Sequence, residues 1–171
     1  GVVPNGPYIE YWPALVDSKH IKEKIFVDGK VLEILPTSQL DFEEVYYQKE
    51  PTEVKKITEK PDKEIFFGEI FGTRSGDKGG CANLGVWSKN IDAYGFLYDF
   101  LTVKKLKELL PDLESFEIDR FDLPNILSLN FYIHGILQDG VSSSTRMDGQ
   151  AKSLGEYLRA KKISIPKTIL G

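Results

Sequence analysis

Apolar and polar residues alternate most regularly along residues 126–137, where nearly every odd-numbered position is apolar. Alternation of this kind is typical of a strand with one face in the core. The pattern therefore predicts a strand with an apolar face and a partly polar face. The apolar face would comprise Leu127, Leu129, Phe131, Ile133 and Leu137, and the polar face Ser128, Asn130, Tyr132 and His134.

Shorter stretches predict four further strands, over residues 64–72, 82–88, 115–123 and 163–165. The stretch 64–72 is bulky on both sides, which favours a central place in a sheet. The stretch 82–88 alternates, so Asn83 and Trp87 would lie on the face opposite Ala82. Pro124 and Asn125 predict a turn before the strand at 126–137.

Helical periodicity occurs in two places. Residues 93–110 carry an apolar face that is interrupted at Thr102, which would cap a second helical segment, and Pro111 would end that segment. A later helix is predicted over residues 148–161. Thr145 and Asp148 have the spacing of a capping box just ahead of it.

The order of these elements predicts an α+β fold, a ferredoxin-like βαββαβ sandwich with an extra N-terminal hairpin strand. One antiparallel sheet would carry two helices on one face, and its other face would be open. The side chains predicted on the open face are Asn83, Trp87, Asn130, Tyr132 and His134.

The region before this domain is different in character. Asp28 and Gly29, between runs of β-formers, predict a two-residue hairpin turn over residues 25–34, and residues 40–47 are a weaker strand candidate. Residues 1–48 are therefore interpreted as a β-rich arm, or the tail of a larger missing domain. Residues 49–63 are charged and contain two prolines, which predicts a solvated linker, so the domain would span residues 64–171.

Composition narrows the class of protein. The chain has 171 residues, 41% of them hydrophobic, which excludes a largely disordered chain. Its net charge of -4 argues against general nucleic-acid binding, and no apolar run is long enough to span a membrane. One cysteine and two histidines favour neither a metal site nor a cofactor. Met147 is the only methionine, so we expect an excised fragment or, less favoured, a processed product.

The most distinctive motif is the run GTRSGDKGGCAN over residues 72–83. Its glycines predict a flexible connection whose free amides could form a nest for an anion, with Arg74 and Lys78 adding positive charge. It is not a P-loop, because the GxxxxGK order is absent. The alternative is a glycine-rich hairpin whose charges face water.

A second candidate is the run over residues 140–150, which would lead into a helix N-terminus. Serine and threonine hydroxyls and Arg146 could bind an anion there, or the polar residues could simply cap the helix. Cys81 is interpreted as a buried thiol rather than a nucleophile, and His134 as a structural histidine rather than a ligand.

Three segments together resemble a known family: RSGDKGGCANLGVW at 74–87, LPNILSLNFYIHGIL at 123–137 and STRMDGQAKSLGEYL at 144–158. Over residues 64–166 the chain resembles the small C-terminal domain of the acyclic terpene utilisation (AtuA-like) family. The resemblance implies a ferredoxin-type fold after a much larger α/β domain. It also implies a place beside acyl-CoA carboxylases in the breakdown of branched or terpenoid acids.

The resemblance also implies which residues of this chain are functional. Asp77 and Lys78 are the implied catalytic residues, with Asp77 orienting Lys78 or relaying a proton. Arg74, Lys78 and Arg146 would hold a negative group. The implied substrate-binding residues are Arg74, Ser75, Gly76, Gly79, Gly80, Asn83, Asn130, Arg146 and Lys152.

Two hypotheses of function follow. The chain is an accessory domain of a cytoplasmic metabolic enzyme, inactive alone, that binds the anionic group of a carboxylate or CoA thioester. Alternatively, it is an assembly module in which Trp87 and Tyr132 on the open face form a dimer interface. The expected partners are the large AtuA-type domain or subunit, a second copy and a small anionic substrate, with no nucleic acid and no membrane.

Overall fold

A computed structural model describes residues 14–34 and 53–170 of the chain. The described residues divide into two compact units, a smaller one of residues 14–34 and a larger one of residues 53–170. In the smaller unit, β1 (Glu23–Val27) and β2 (Lys30–Ile34) form the predicted hairpin. Asp28 and Gly29 take the positive φ angles, 48° and 73°, that a primed turn requires. The strand predicted at 40–47 lies outside the described residues.

The centre of the larger unit is an antiparallel sheet of four strands, and it confirms the predicted α+β, ferredoxin-like fold. The strands are β4 (Phe71–Lys78), β5 (Cys81–Ser88), β6 (Ile118–Leu123) and β7 (Ser128–Ile133). Their order across the sheet is β4-β5-β7-β6. The strand β4 is the extra hairpin strand, joined to β5 through Gly79 and Gly80.

Three α-helices accompany the sheet: α1 (Ile91–Phe100), α2 (Val103–Leu109) and α3 (Leu154–Arg159). The predicted break between α1 and α2 is confirmed, because the Lys105 amide donates to Thr102 Oγ1 at 3.1 Å and restarts the helix. Asn90 caps α1 in the same way, accepting from the Ala93 amide at 2.7 Å.

The predicted continuous strand over residues 64–72 is wrong. It is divided into β3 (Lys63–Phe66) and β4 by a short 3-10 turn, Phe67–Glu69, and the Phe66 amide donates to Glu69 Oε1 at 2.6 Å across that turn. The strand β3 pairs with β8 (Lys162–Ile165) in a separate two-stranded sheet. The edge beside β5, where a split βαβ fold places its last strand, is therefore taken by β4.

The predicted helix over residues 148–161 begins six residues late, at Leu154. Asp148 accepts from the amides of Lys152 and Ser153, at 2.9 and 3.0 Å, and Ala151 has a φ of 52°, which no α-helix contains. The expected Thr145–Asp148 capping box is therefore wrong. The Asp148 carboxylate binds backbone amides in a turn instead, a conformation that competes with helix formation at aspartate residues.

The core lies between the helices and one face of the four-stranded sheet. Six strand side chains on this face are completely buried: Ala82, Leu84, Val86, Leu129, Phe131 and Ile133. Phe67 and Phe71 extend the core, with ring centroids 4.8 Å apart. The predicted core face is thus confirmed at Leu129, Phe131 and Ile133, but the strand predicted over residues 126–137 is too long, because Leu127 has a φ of 51° and a turn follows Ile133.

Residues 53–62 have no regular secondary structure, as expected for a linker, but they are not fully solvated. Val54 and Ile57 pack, partly buried, against the core. The Lys55 ammonium group forms an ion pair of 2.6 Å with Asp92 of α1. This stretch is therefore attached to the sheet domain rather than free of it.

Candidate functional site

The segment predicted as an anion-binding loop is a strand. Residues 71–78 form β4, and Gly76 pairs with Asn83 of β5. Successive amides of an extended strand point in opposite directions, so they do not converge on one anion. The prediction of a nest of amides is wrong for this reason, and only the Gly79–Gly80 turn remains of the loop.

The two turn glycines have structural roles. Gly79 has a φ of 62°, which favours glycine, and a Cβ on Gly80 would overlap the backbone carbonyl of Gln138. The Leu137 amide also donates to the Gly80 carbonyl at 2.9 Å. Gly80 therefore packs the hairpin turn against the turn that follows β7.

The predicted cationic residues do not share a site. Arg74 lines a cleft with Ser75 and Lys152, whereas Arg146 lines another with Asp112 and Asp148, and the two clefts have no residue in common. The Lys78 ammonium group donates at 2.9 Å to the backbone oxygen of Asp77, not to its carboxylate. The geometry gives no support to a common anion site for Arg74, Lys78 and Arg146.

Ser75 fastens β4 to α3. Its hydroxyl accepts from the Gly155 amide at 2.9 Å and donates to the Lys152 carbonyl at 3.3 Å. The buried Thr73 hydroxyl donates to the Gly155 carbonyl at 2.9 Å. A side chain at position 155 would crowd Thr73 Oγ1 at 2.9 Å, so glycine permits this close approach of helix and strand.

The face of the sheet opposite the helices carries the five residues predicted for it. The strand register aligns Arg74 with Gly85, Asn130 and Phe121 across the sheet. The next row contains Gly76, Asn83, Tyr132 and Asp119. We call this surface the open face. Asn83 Nδ2 donates to Asn130 Oδ1 at 3.3 Å between the two rows.

One end of the open face is polar. His134 Nε2 lies 2.8 Å from Asp119 Oδ2, and the His134 ring meets the Tyr132 ring edge-on, with centroids 4.9 Å apart. A hydrogen bond between the Tyr132 hydroxyl and Cys81 raises the pKa of Tyr132 above its usual value. These contacts agree with the structural interpretation of His134.

Cys81 itself is half-buried, so its prediction as a buried thiol is wrong. Its Sγ atom accepts a long hydrogen bond of 3.4 Å from the Gly135 amide. The sequence does not predict the contact between Cys81 and Tyr132. This contact requires the register of β5 on β7, which the alternation within each strand does not determine.

The other end of the open face is apolar. Trp87, Phe121 and Leu123 are 39%, 51% and 41% exposed, respectively. The Trp87 ring lies over Gly72, where a Cβ would overlap it. The two edges of this face differ in charge, because β4 contributes Arg74 and Lys78 while β6 contributes Asp119, preceded by Glu117.

Neither a metal cluster nor a membrane-spanning helix occurs in residues 14–34 and 53–170. No three or more His, Cys, Asp or Glu side chains are grouped there as metal ligands. No helix in the same ranges has both the length and the apolar character needed to cross a bilayer.

Comparison with known proteins gives one match. A family model described as the AtuA ferredoxin-like domain matches residues 66–164, more than half of the chain. Neither the curated proteins nor the solved structures contain a match to it.

Proposed function

The chain belongs to the AtuA ferredoxin-like domain family, and we propose that it is an accessory domain of a metabolic enzyme that associates through its open face. The observation that carries the proposal is the cluster of exposed Trp87, Phe121 and Leu123 beside two edges of opposite charge. Aromatic residues inside a charged rim are typical of protein interfaces. The occupant we propose for this face is a second copy of the chain.

Charge complementarity favours one arrangement of two copies. A two-fold axis parallel to the strands turns the open faces toward each other and puts β4 of each copy over β6 of its partner. Rotation about this axis keeps each residue at its level along the strands. The basic edge of each copy then meets the acidic edge of the other copy, twice in each dimer.

The registers give the facing residues. Arg74 shares a row with Phe121, so in the dimer its guanidinium group would stack over the partner's Phe121. Lys78 lies at the level of Glu117, because Lys78 pairs with Cys81 and the His134 amide donates to the Glu117 carbonyl at 3.0 Å. Sheets packed face to face lie about 10 Å apart, a distance these long side chains can bridge.

Charge reversal tests this arrangement. An acidic-faced variant (Arg74→Glu, Lys78→Glu) and a basic-faced variant (Glu117→Lys, Asp119→Lys) would each repel their own kind. We expect each variant alone to be monomeric by sedimentation velocity, and an equimolar mixture to form heterodimers. Lys104→Glu on α2 is the matched control, since it reverses an exposed charge away from the open face.

The result that would contradict the proposal is equally clear. If both variants dimerise as the unmodified chain does, or if the mixture stays monomeric while circular dichroism shows both variants folded, the open face does not pair in this way. Protection of the face only in the presence of a large AtuA-type domain would also overturn the second copy as its occupant.

A second candidate function is binding of the anionic group of a carboxylate or CoA thioester, in branched or terpenoid acyl-CoA breakdown. The observation that favours it is the gap at Gly85, which Arg74 and Asn130 flank within one row and Asn83 borders from the next. A guanidinium fork and two amides suit a carboxylate or a thioester carbonyl. Lys78, Arg146 and Lys152 would take no part in binding this anionic group.

Arg74→Lys separates the two candidates. It keeps the positive charge, so dimerisation driven by charge should persist, whereas bidentate binding of a carboxylate should weaken about tenfold. Titration of a branched-chain acyl-CoA, followed by calorimetry, measures that change. Unchanged binding in this variant would remove Arg74 from the anion-binding hypothesis.

A further inference from the structure

A cleft of about 350 Å³ lies at one end of the four-stranded sheet, apart from the residues that the sequence predicted to bind an anion. It lies between the Gly68–Gly72 segment, the β5–α1 connection, α3 and the C-terminal turn. Its volume falls within the range of about 300–1,000 Å³ for small-molecule sites. Residues lining it on the polar side include Trp87, Lys89, Asn90 and Arg159.

Two glycines shape the cleft. A Cβ on Gly72 would overlap the indole ring of Trp87, and a Cβ on Gly68 would lie 2.9 Å from Arg159 Cβ. Because neither glycine has a side chain, the tryptophan and the arginine can lie against the backbone and form walls.

The charges in the cleft favour an anion. Lys89 is exposed and forms no ion pair with any described carboxylate. Among the described carboxylates Arg159 forms an ion pair with Glu156 alone, at 3.5 Å and through Nε, and such an exposed pair is weak. The acidic Glu69 also lines the cleft and accepts from the Phe66 amide, so two cations and one carboxylate leave the lining with a net positive charge. The helix α1 begins beside Asn90, and its dipole adds to the positive potential.

The remaining wall is apolar. It includes the partly buried Ile70 and Leu170, together with Ala93 and Ile169, which are almost completely buried. A ligand in the cleft would therefore meet cations on one side and aliphatic carbon on the other. An inorganic anion would contact only the cations, and a neutral lipid would contact only the aliphatic side chains.

We propose that this cleft binds a small carboxylic acid with an apolar body. Arg159 and Lys89 hold the carboxylate, and the apolar part lies against Ile70 and Leu170. Trp87 belongs both to the cleft and to the open face, but neither cation belongs to the strands of the open face, so variants of Lys89 and Arg159 test this site separately from the proposed association.

NMR titration of the whole chain tests the proposal with octanoate as the probe. Octanol, which lacks the charge, and acetate, which lacks the apolar body, are the matched ligands. We expect octanoate to shift the amide signals of Gly72, Lys89 and Asn90, and to bind at least tenfold more tightly than either control. Equal binding of octanol or acetate, or shifts located elsewhere, would overturn the proposal.

Two variants assign the cations. Lys89→Gln and Arg159→Gln should each weaken octanoate binding about tenfold, the loss expected for one charge-assisted hydrogen bond. Lys104→Gln removes an exposed charge outside the cleft and should leave binding unchanged. Lys89 makes no described ion pair, so its variant tests the site without loss of the fold. If octanoate binds Lys89→Gln and Arg159→Gln as it binds the unmodified chain, the carboxylate is not held there.

Discussion

The two faces of the four-stranded sheet are built from alternate residues of the same strands, yet the described residues cover only one of them. On the helix side, Leu84, Phe131 and Ile133 are fully buried. On the open face, Trp87 and Phe121 remain 39% and 51% exposed, among amides and charges. Burial of apolar area is the main source of stability, so the covered face holds the fold. The open face is left for interactions, and its substitution should cost little stability.

Neighbouring residues on β7 give the largest expected contrast. Phe131→Ala should lower the free energy of unfolding by about 3–5 kcal/mol, because it removes a fully buried ring and leaves a cavity. Tyr132→Ala, one position along but on the open face, should cost clearly less. Denaturant unfolding of both variants measures the difference, and equal losses would show that both faces are covered.

A smaller contrast concerns Tyr94, which is fully buried on α1 and whose hydroxyl finds no hydrogen-bond partner in the described chain. Burial raises the pKa of Tyr94 to about 12, whereas a tyrosine in the unfolded chain has a pKa near 10. The neutral Tyr94 hydroxyl therefore contributes its full share to the free energy of unfolding below pH 10. This stabilisation, on the order of 2 kcal/mol, is lost as the pH rises toward 12.

Tyr94→Phe isolates this effect, because the lysines that titrate in the same range are unchanged. The variant should be at least as stable as the unmodified chain at pH 8, since it removes an unpaired buried hydroxyl. Its stability should also fall less between pH 10 and 12. Identical pH profiles in thermal unfolding would show that the Tyr94 hydroxyl is not buried as described.

The smallest contrast compares two hydroxyl-to-carbonyl hydrogen bonds of similar length. Thr73 Oγ1 donates to Gly155 at 2.9 Å within the buried β4–α3 contact, and Ser128 Oγ donates to Ile126 at 2.8 Å at an exposed site. Thr73→Val should cost about 1–2 kcal/mol, and Ser128→Ala less than about 0.5 kcal/mol. Urea unfolding resolves this difference, and the reverse order would contradict the comparison.

Periodicity was sufficient to predict the sheet faces. The alternation along β7 separates buried Phe131 from open Tyr132, and the predicted cap Thr102 begins α2 at its place. These features depend on local spacing and local hydrogen bonds, which a sequence displays directly.

The errors arose where partners distant in sequence decide the conformation. The glycines of residues 72–80 suggest a loop, but pairing with β5 makes most of that segment a strand. Arg74 and Arg146 have similar chemistry, yet the fold assigns them to different clefts. The Lys89–Arg159 cleft combines residues 70 positions apart and carries no motif in the sequence.

Sedimentation equilibrium of the unmodified chain tests the central claim, that the open face is covered by a second copy, most directly. Pairing of two open faces predicts that the apparent mass rises with concentration from 19.4 kDa toward twice that value. High salt, which screens the two charged edges, should oppose the rise. A constant mass of 19.4 kDa at every concentration would contradict it.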